Sequence, residues 1–98
     1  MALLTDKYEL TMLQAALRDG SAHRRTTFEL FARRLPDGRR YGVVAGTGRF
    51  LDSLAEFRFD DDALSSLAEF LDPATLDFLR DFRFGGDVDG YPEGELYF

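Results

Sequence analysis

The sequence predicts an α+β fold in which about four helices pack with a small sheet. Apolar residues recur at three- and four-residue spacing in four separate segments, which is typical of helices with one buried face. Short alternating or β-branched runs near the middle and at the end of the chain indicate strands. The composition suits a folded chain, because 45% of the 98 residues are hydrophobic and ten are Phe.

The first helix is predicted from about Asp6 to Asp19. Asp6 lies three residues before Glu9, which is the spacing of a capping box, in which each side chain accepts a hydrogen bond from a backbone N–H that the helix start leaves unpaired. Gly20 can adopt the left-handed conformation that ends a helix. From the residues alone, Asp6 is therefore a helix cap.

Two strands are predicted after this helix. Residues 26–33 alternate, with Phe28 and Leu30 on one face and polar residues mostly on the other. Residues 41–45 are short, apolar and β-branched, and form the second strand. Gly46 then allows a tight turn from this strand into the next helix.

Three further helices complete the prediction. The carboxylates of residues 60–62 favour the positive end of a helix dipole, so a helix begins there. Asp72 caps the last helix, Pro73 suits its first position, and residues 85–86 end it. The tail, residues 87–98, is interpreted as two short strands. The residues predicted to form the apolar faces of these three helices are, in chain order, Phe50, Leu51, Leu54 and Phe57; Leu64, Leu67 and Leu71; and Leu76, Leu79 and Phe82.

The composition narrows the functional classes. A net charge of -6 argues against a nucleic-acid surface, which needs clustered positive charge to displace counterions from phosphates. The chain has no Cys and a single His, which excludes disulfides and leaves no internal zinc-ligand set. No apolar run approaches the roughly 20 residues that span a bilayer, and the start does not resemble a signal peptide. We expect a soluble, cytoplasmic protein that binds neither nucleic acid nor membrane.

One stretch of the acidic chain is basic. Six arginines lie between residues 24 and 40, against only Glu29 and Asp37. Guanidinium groups can bind phosphate oxygens in bidentate fashion, but a run of charge is more often a solvated face, and we interpret the cluster as a whole in that way. The six are Arg24, Arg25, Arg33, Arg34, Arg39 and Arg40.

Three other polar patterns are given structural interpretations. The Gly46-Thr47-Gly48 run lacks the third glycine of a dinucleotide fingerprint and the lysine of a P-loop, so we do not interpret it as a nucleotide loop. Residues 60–62 point in different directions from a helix start, which suits a helix dipole better than a metal ion. His23 stands alone in a polar turn and is expected to be solvated.

Five segments of the chain, in this order, resemble the opening of nicotinate phosphoribosyltransferases. They are residues 3–12, 28–36, 41–54, 78–88 and 92–94. Each is short, but their order and spacing together make the match specific. The resemblance covers essentially the whole chain and implies that residues 1–98 form the N-terminal α+β domain of a type II phosphoribosyltransferase. Family members are several times longer, so we expect a fragment that lacks the family's α/β barrel.

The resemblance also implies a reaction. The complete enzyme would join nicotinate to phosphoribosyl pyrophosphate, giving nicotinate mononucleotide and pyrophosphate in the salvage route to NAD, with ATP hydrolysis driving the coupling. It implies Mg²⁺ on the pyrophosphate and a homodimer with shared active sites. The catalytic residues would lie in the absent barrel. The fragment would supply dimer interface and part of the substrate site, and alone it would be inactive.

Three residues are candidate substrate-binding residues. From spacing alone, Tyr8 fits core packing, because Leu4, Tyr8 and Met12 follow one another on one side of the helix. The resemblance instead implies that Tyr8 reaches across a head-to-tail dimer interface and stacks on the pyridine ring of nicotinate in the partner's site. It implies that Asp6 helps to orient that site, while the cap interpretation stays open. Arg33 matches the arginine that closes a strand motif of the family, which implies contact with a phosphate.

Two alternatives to this function stay open at the level of sequence. The chain could be a non-catalytic dimerisation or binding module with no activity of its own. It could also belong to a sister phosphoribosyltransferase that uses nicotinamide or quinolinate, because the residues that select the base would lie outside these 98 residues.

Overall fold

A computed structural model describes residues 2–98 of the chain. Its elements, in chain order, are α1 (Lys7–Asp19), β1 (Gly42–Val43), α2 (Thr47–Ala55), α3 (Asp61–Leu67), α4 (Pro73–Asp81) and β2 (Leu96–Tyr97). Four helices and one small sheet in this part of the chain confirm the predicted α+β class. The chain divides into two compact units, one formed by residues 2–26 and 57–84, the other by residues 27–56 and 85–98.

The first unit is a helical cluster of α1, α3 and α4 around one hydrophobic core. The side chains predicted on the inner faces of α3 and α4 are buried or half-buried, as expected from their three- and four-residue spacing. The buried hydrophobic residues are Leu10, Phe59, Ala63, Leu64, Leu67, Leu71 and Leu79. Around them pack partly buried aromatic rings, including Phe57, Phe78 and Phe82. The core is therefore built mainly from leucines, with phenylalanines at its margin.

The predicted end signals position α1 well. Asp6 is its N-cap and forms the capping box with Glu9, whose carboxylate accepts a hydrogen bond from the Asp6 backbone N–H at 3.1 Å. Gly20 ends the helix in the left-handed conformation, with φ of 83°. Both ends of α1 are thus fixed by residues within one turn of the helix.

One residue, Asp72, both caps α4 and joins it to α1. Its carboxylate accepts from the Thr75 backbone N–H at 2.8 Å, and Pro73 occupies the first helical position, as predicted. From α1, Arg18 donates to the same carboxylate at 2.9 Å, and the Gln14 side chain accepts from the Asp72 backbone N–H at 2.7 Å. The hydrogen bonds from Thr75, with a smaller contribution from Arg18, hold the pKa of Asp72 below its usual value.

The end of α4 comes earlier than the sequence indicates. The helix stops at Asp81, and Phe82 follows in an extended conformation, with ψ of 130°, rather than the helix continuing to residues 85–86. The Phe82 ring packs edge-on against Phe57, with 6.2 Å between the ring centroids. We attribute the early end to this packing, which holds Phe82 against the margin of the core.

The second unit holds the sheet, which consists of two strands in the described residues. β1 and β2 pair antiparallel, with Gly42 opposite Tyr97 and Val43 opposite Leu96. A side chain at Gly42 would be blocked, because a Cβ atom there would lie 2.1 Å from the Tyr97 ring. The strand predicted over residues 41–45 is thus present but shorter, as β1, and the Tyr97 ring packs directly against its Gly42.

Two predicted strands are wrong. Residues 27–35 lie in neither helix nor strand, with Phe28 89% and Leu30 97% exposed. A strand needs a neighbour for its backbone N–H and C=O groups, and the described residues provide none for this segment. The tail likewise holds one strand, β2, rather than two. The alternation of apolar and polar residues in the sequence indicated strands here, but it could not show whether a neighbouring strand is available to pair with them.

Candidate functional site

The first turn of α1 carries two of the three candidate site residues. Asp6 is the N-cap, so its interpretation as a helix cap is confirmed. The Glu9 carboxylate also accepts a hydrogen bond from the Thr5 hydroxyl, which adds a second contact across the same turn. These contacts fix the backbone at the start of the helix. The role of Asp6 in orienting a substrate stays a prediction.

Tyr8 faces away from the core. Its side chain is 60% exposed, so the interpretation as a core residue is wrong. Lys7, the preceding residue, places its ammonium group 4.7 Å from the centre of the Phe70 ring. Leu10 is the buried residue of α1, and Tyr8, two residues earlier, points about 200° away from it around the helix, which is the outer side.

The neighbours of Tyr8 on that side are also apolar and exposed. Leu4, Tyr8 and Met12, which we call the Tyr8 stripe, are all exposed. Tyr8 and Met12 lie one turn apart on α1, and Leu4 precedes the helix. Large exposed apolar side chains that lie close together on a folded protein often mark a surface that binds another molecule. The four-residue spacing correctly placed Tyr8 and Met12 on one face of α1, but that face is exposed, and Leu4 lies before the helix begins.

Arg33 lies in the second unit, within the irregular segment of residues 27–35. Its side chain is exposed, and so are those of the other five arginines of the basic stretch. The interpretation of the cluster as a solvated face agrees with this exposure and stays a prediction. The phosphate contact of Arg33 stays a prediction, supported by a guanidinium group that is open to solvent.

The sequence interpretation missed Glu93, which closes the start of α2. Its two carboxylate oxygens accept from the backbone N–H groups of Gly46 and Thr47, each at 2.9 Å. These bonds lower the pKa of Glu93, with Gly46 making the largest contribution. The signal in the sequence was indirect: α2 begins after a glycine that offers no side-chain cap, so its first N–H groups needed a distant acceptor.

The same turn confirms two sequence interpretations. Gly46 adopts a φ of 90°, which is the tight strand-to-helix turn predicted for it. The N–H groups that a phosphate would need are already bound to the chain's own carboxylate. In this structure the Gly46 and Thr47 N–H groups are therefore taken by Glu93 and not open to a nucleotide phosphate.

An open groove of about 500 Å³ lies on the first unit beside His23. The His23 ring contacts Phe78 edge-on, with centroids 5.9 Å apart, and is exposed as predicted. Phe78 and Phe82 form apolar lining, and Asp77, Asp81 and Arg83 supply charge. The ring contact with Phe78 is the interaction that the structure gives His23 in this groove.

Metal ligands are not grouped in residues 2–98. No set of three or more His, Cys, Asp or Glu side chains in that range could hold an ion. Asp60, first of three consecutive aspartates, caps α3 by accepting from the Ala63 backbone N–H at 2.8 Å, which confirms the helix-start interpretation. The Mg²⁺ implied by the resemblance, on the pyrophosphate, stays a prediction. Across the same residues, no helix is both long and apolar enough to cross a membrane.

Comparison with known proteins identifies the family. A family model described as the nicotinate phosphoribosyltransferase (NAPRTase) N-terminal domain matches residues 3–98. The chain belongs to this family. The nicotinate phosphoribosyltransferase resemblance drawn from short motifs is thereby confirmed over almost every residue. No solved structure matches the chain.

Individual nicotinate phosphoribosyltransferases match nearly the whole of this chain, but the match covers only a small fraction of each relative's own length. Nicotinate phosphoribosyltransferase pncB1 of Mycobacterium tuberculosis is 77% identical over 96 residues, covering 98% of this chain and 21% of the relative. Its pncB2 is 42% identical over 103 residues, covering 99% and 21%. Nicotinate phosphoribosyltransferase 2 of Arabidopsis thaliana is 35% identical over 101 residues, covering 98% and 18%. The chain thus spans about a fifth of the length of the curated relatives it matches.

Proposed function

We propose that the chain is the N-terminal part of an enzyme that joins nicotinate to phosphoribosyl pyrophosphate. The products are nicotinate mononucleotide and pyrophosphate, in the salvage route to NAD, with ATP hydrolysis driving the coupling. The observation that carries this proposal is the 77% identity to nicotinate phosphoribosyltransferase pncB1 over 96 residues. We also propose that the reaction takes place in the cytoplasm.

The contribution of this part is a surface for a second subunit. The Tyr8 stripe presents exposed apolar side chains on α1, and the capping box and the Lys7–Phe70 contact hold the start of the helix in place. We propose that this surface forms part of a homodimer interface in which Tyr8 stacks on nicotinate bound by the partner. A ring held on a capped helix loses little freedom on binding, which favours stacking.

The proposed reaction requires the enzyme to position the two substrates more than to form a covalent bond with either of them. Phosphoribosyl transfer passes through a cationic, sugar-like transition state between an oriented base and a departing pyrophosphate, so positioning and charge dominate catalysis. Tyr8 would orient the base, with Asp6 fixing the turn that carries it, and the Arg33 guanidinium would contact a phosphate in bidentate fashion. Mg²⁺ and ATP act in the proposed reaction, but no step through them is assigned to these residues.

A second candidate is a non-catalytic dimerisation module. The exposed Tyr8 stripe favours it independently of any reaction. A sister enzyme that uses nicotinamide or quinolinate is the other alternative, and it has less support, because the relatives compared above are named for nicotinate.

A full-length chimera tests the proposal. The 98-residue chain replaces the matched N-terminal region of pncB1, and product formation is measured with nicotinate, nicotinamide or quinolinate, each with and without ATP. We expect nicotinate mononucleotide from the chimera, stimulated by ATP, and none from the 98-residue chain alone. A folded but inactive chimera beside active pncB1 would favour the dimerisation module. Preference for another base would favour the sister enzyme.

A further inference from the structure

Residues 27–35, which we call the edge segment, have the composition of a strand without the structure of one. Phe28, Leu30 and Ala32 alternate with Glu29, Phe31 and Arg33, a pattern typical of a strand with one apolar face and one mixed face that carries the charges. In the structure the apolar side chains project into solvent, with Phe28 89% and Leu30 97% exposed. Such exposure of large apolar groups along one face is unusual unless another surface covers it.

The backbone of the edge segment is equally unpartnered within the described residues. The backbone hydrogen bonds there join residues on either side of it, such as Arg24 to Ser21 and Arg39 to Pro36, and none involves residues 27–35. Within the same unit, β1 and β2 pair with each other in a two-stranded sheet that does not include the segment. A run of free N–H and C=O groups beside alternating apolar side chains is a template for pairing with another strand.

We propose that the edge segment pairs, as a β-strand, with a strand from the polypeptide that follows the matched region in nicotinate phosphoribosyltransferases. The reason for choosing this partner is length: the matched region is 21% of pncB1, so about four fifths of that enzyme lies outside it. The partner strand carries apolar residues on the face that meets Phe28 and Leu30. Its other face tolerates the charges of Glu29 and Arg33.

This pairing would give Arg33 a fixed position. The residue lies at a bend in an unpaired segment here, whereas a hydrogen-bonded strand holds its side chains at defined spacing on one face. The inference rests on membership of the family and not on the proposed reaction. Its test therefore reads backbone protection, which is independent of activity.

Amide hydrogen exchange tests the pairing directly. Exchange of residues 27–35 is measured in the 98-residue chain and in the full-length pncB1 chimera, with residues 21–26 as an internal control. Amides in unpaired segments exchange rapidly, whereas those in stable sheets exchange only through opening. We expect exchange of the edge segment to slow by at least about 100-fold in the chimera, with little change in residues 21–26. Equal exchange in both proteins would overturn the proposal.

A matched pair of variants adds a second readout. Leu30→Ser should lower the melting temperature of the chimera but not that of the 98-residue chain, where Leu30 is already exposed. Thr27→Ser, in the same segment, should change neither. If the chimera does not fold, exchange of the corresponding residues in pncB1 itself gives the same comparison. Protection that instead grows with the concentration of the 98-residue chain, together with a dimer in light scattering, would show a second copy as the partner and overturn the proposal.

Discussion

Replacing Tyr8 separates its proposed binding role from a structural one. The perturbation is Tyr8→Ala in the full-length chimera, with Tyr8→Phe to keep the ring. The proposed role needs the ring face, not the hydroxyl, so Phe should function nearly as well as Tyr. Because the side chain is 60% exposed, removing it should leave the stability of the fold almost unchanged.

The magnitude follows from the exposed area. A Tyr side chain buries about 150–250 Å² when fully covered, and the 60% left exposed here corresponds to about 90–150 Å² that nicotinate and the partner could cover. At ~25 cal/mol per Å² this is about 2–4 kcal/mol, from which ordering of the side chain subtracts about 0.5–1.5 kcal/mol. We therefore expect Tyr8→Ala to lose about 1–3 kcal/mol of transition-state binding, or roughly 5- to 150-fold in kcat/KM.

Two assays check this expectation. The first compares kcat/KM for nicotinate in Tyr8→Ala and in Tyr91→Ala, a control that removes another exposed tyrosine, 68% exposed. The second mixes Tyr8→Ala chains with chains inactivated in the barrel. Because Tyr8 would serve the partner's site, the heterodimer should regain activity at one composite site. Absence of rescue despite subunit exchange would refute the arrangement, and normal kinetics with a lowered melting temperature would return Tyr8 to a structural role.

Three further predictions concern the second unit. Arg33→Ala should raise KM for phosphoribosyl pyrophosphate far more than KM for nicotinate, whereas Arg39→Ala should do little; equal effects in steady-state kinetics would make both residues part of a solvated face. Gly42→Ala should destabilise the chain by about 1–3 kcal/mol in thermal unfolding, because the added Cβ meets the Tyr97 ring, and adding Tyr97→Ala should recover part of the loss. The lowered pKa of Glu93 means that its contribution to stability is present above its usual pKa of 4.5 and is lost as the pH falls through its lower folded value. Glu93→Gln should therefore flatten the decline in melting temperature between pH 6 and pH 3. An unchanged slope would contradict the role of the carboxylate.

The features that the sequence predicts well depend on residues close together in the chain. The capping box of α1 involves residues three apart, and the Asp72 cap of α4 likewise acts on Thr75. Such contacts form whenever the local segment is helical, so their spacing is visible in the sequence. The inner faces of α3 and α4 were predictable for the same reason, because helical periodicity places their leucines on one side.

The features that the sequence predicts poorly depend on distant partners. Glu93 lies 47 residues from Gly46, and no local pattern links a carboxylate to one helix start rather than another. The strand predicted over residues 26–33 has the right alternation but no neighbour in the described chain. For Tyr8, periodicity identified a common side of the helix with Met12 without indicating whether that side is covered.

The contacts around Glu93 also set an order in which the second unit can form. Its carboxylate holds the start of α2, while Val44 exchanges backbone hydrogen bonds with Gly94 and Glu95 at 2.8 Å. Residues 42–55 therefore cannot complete these contacts until residues 92–97 have been synthesised, and the intervening residues 57–84 of the first unit are synthesised before them. At about 5–20 residues per second, a separation of 47 residues corresponds to roughly 2–10 s on the ribosome. During that interval α2 lacks its cap and β1 lacks its strand partner, so the nascent chain exposes both to chaperones and proteases.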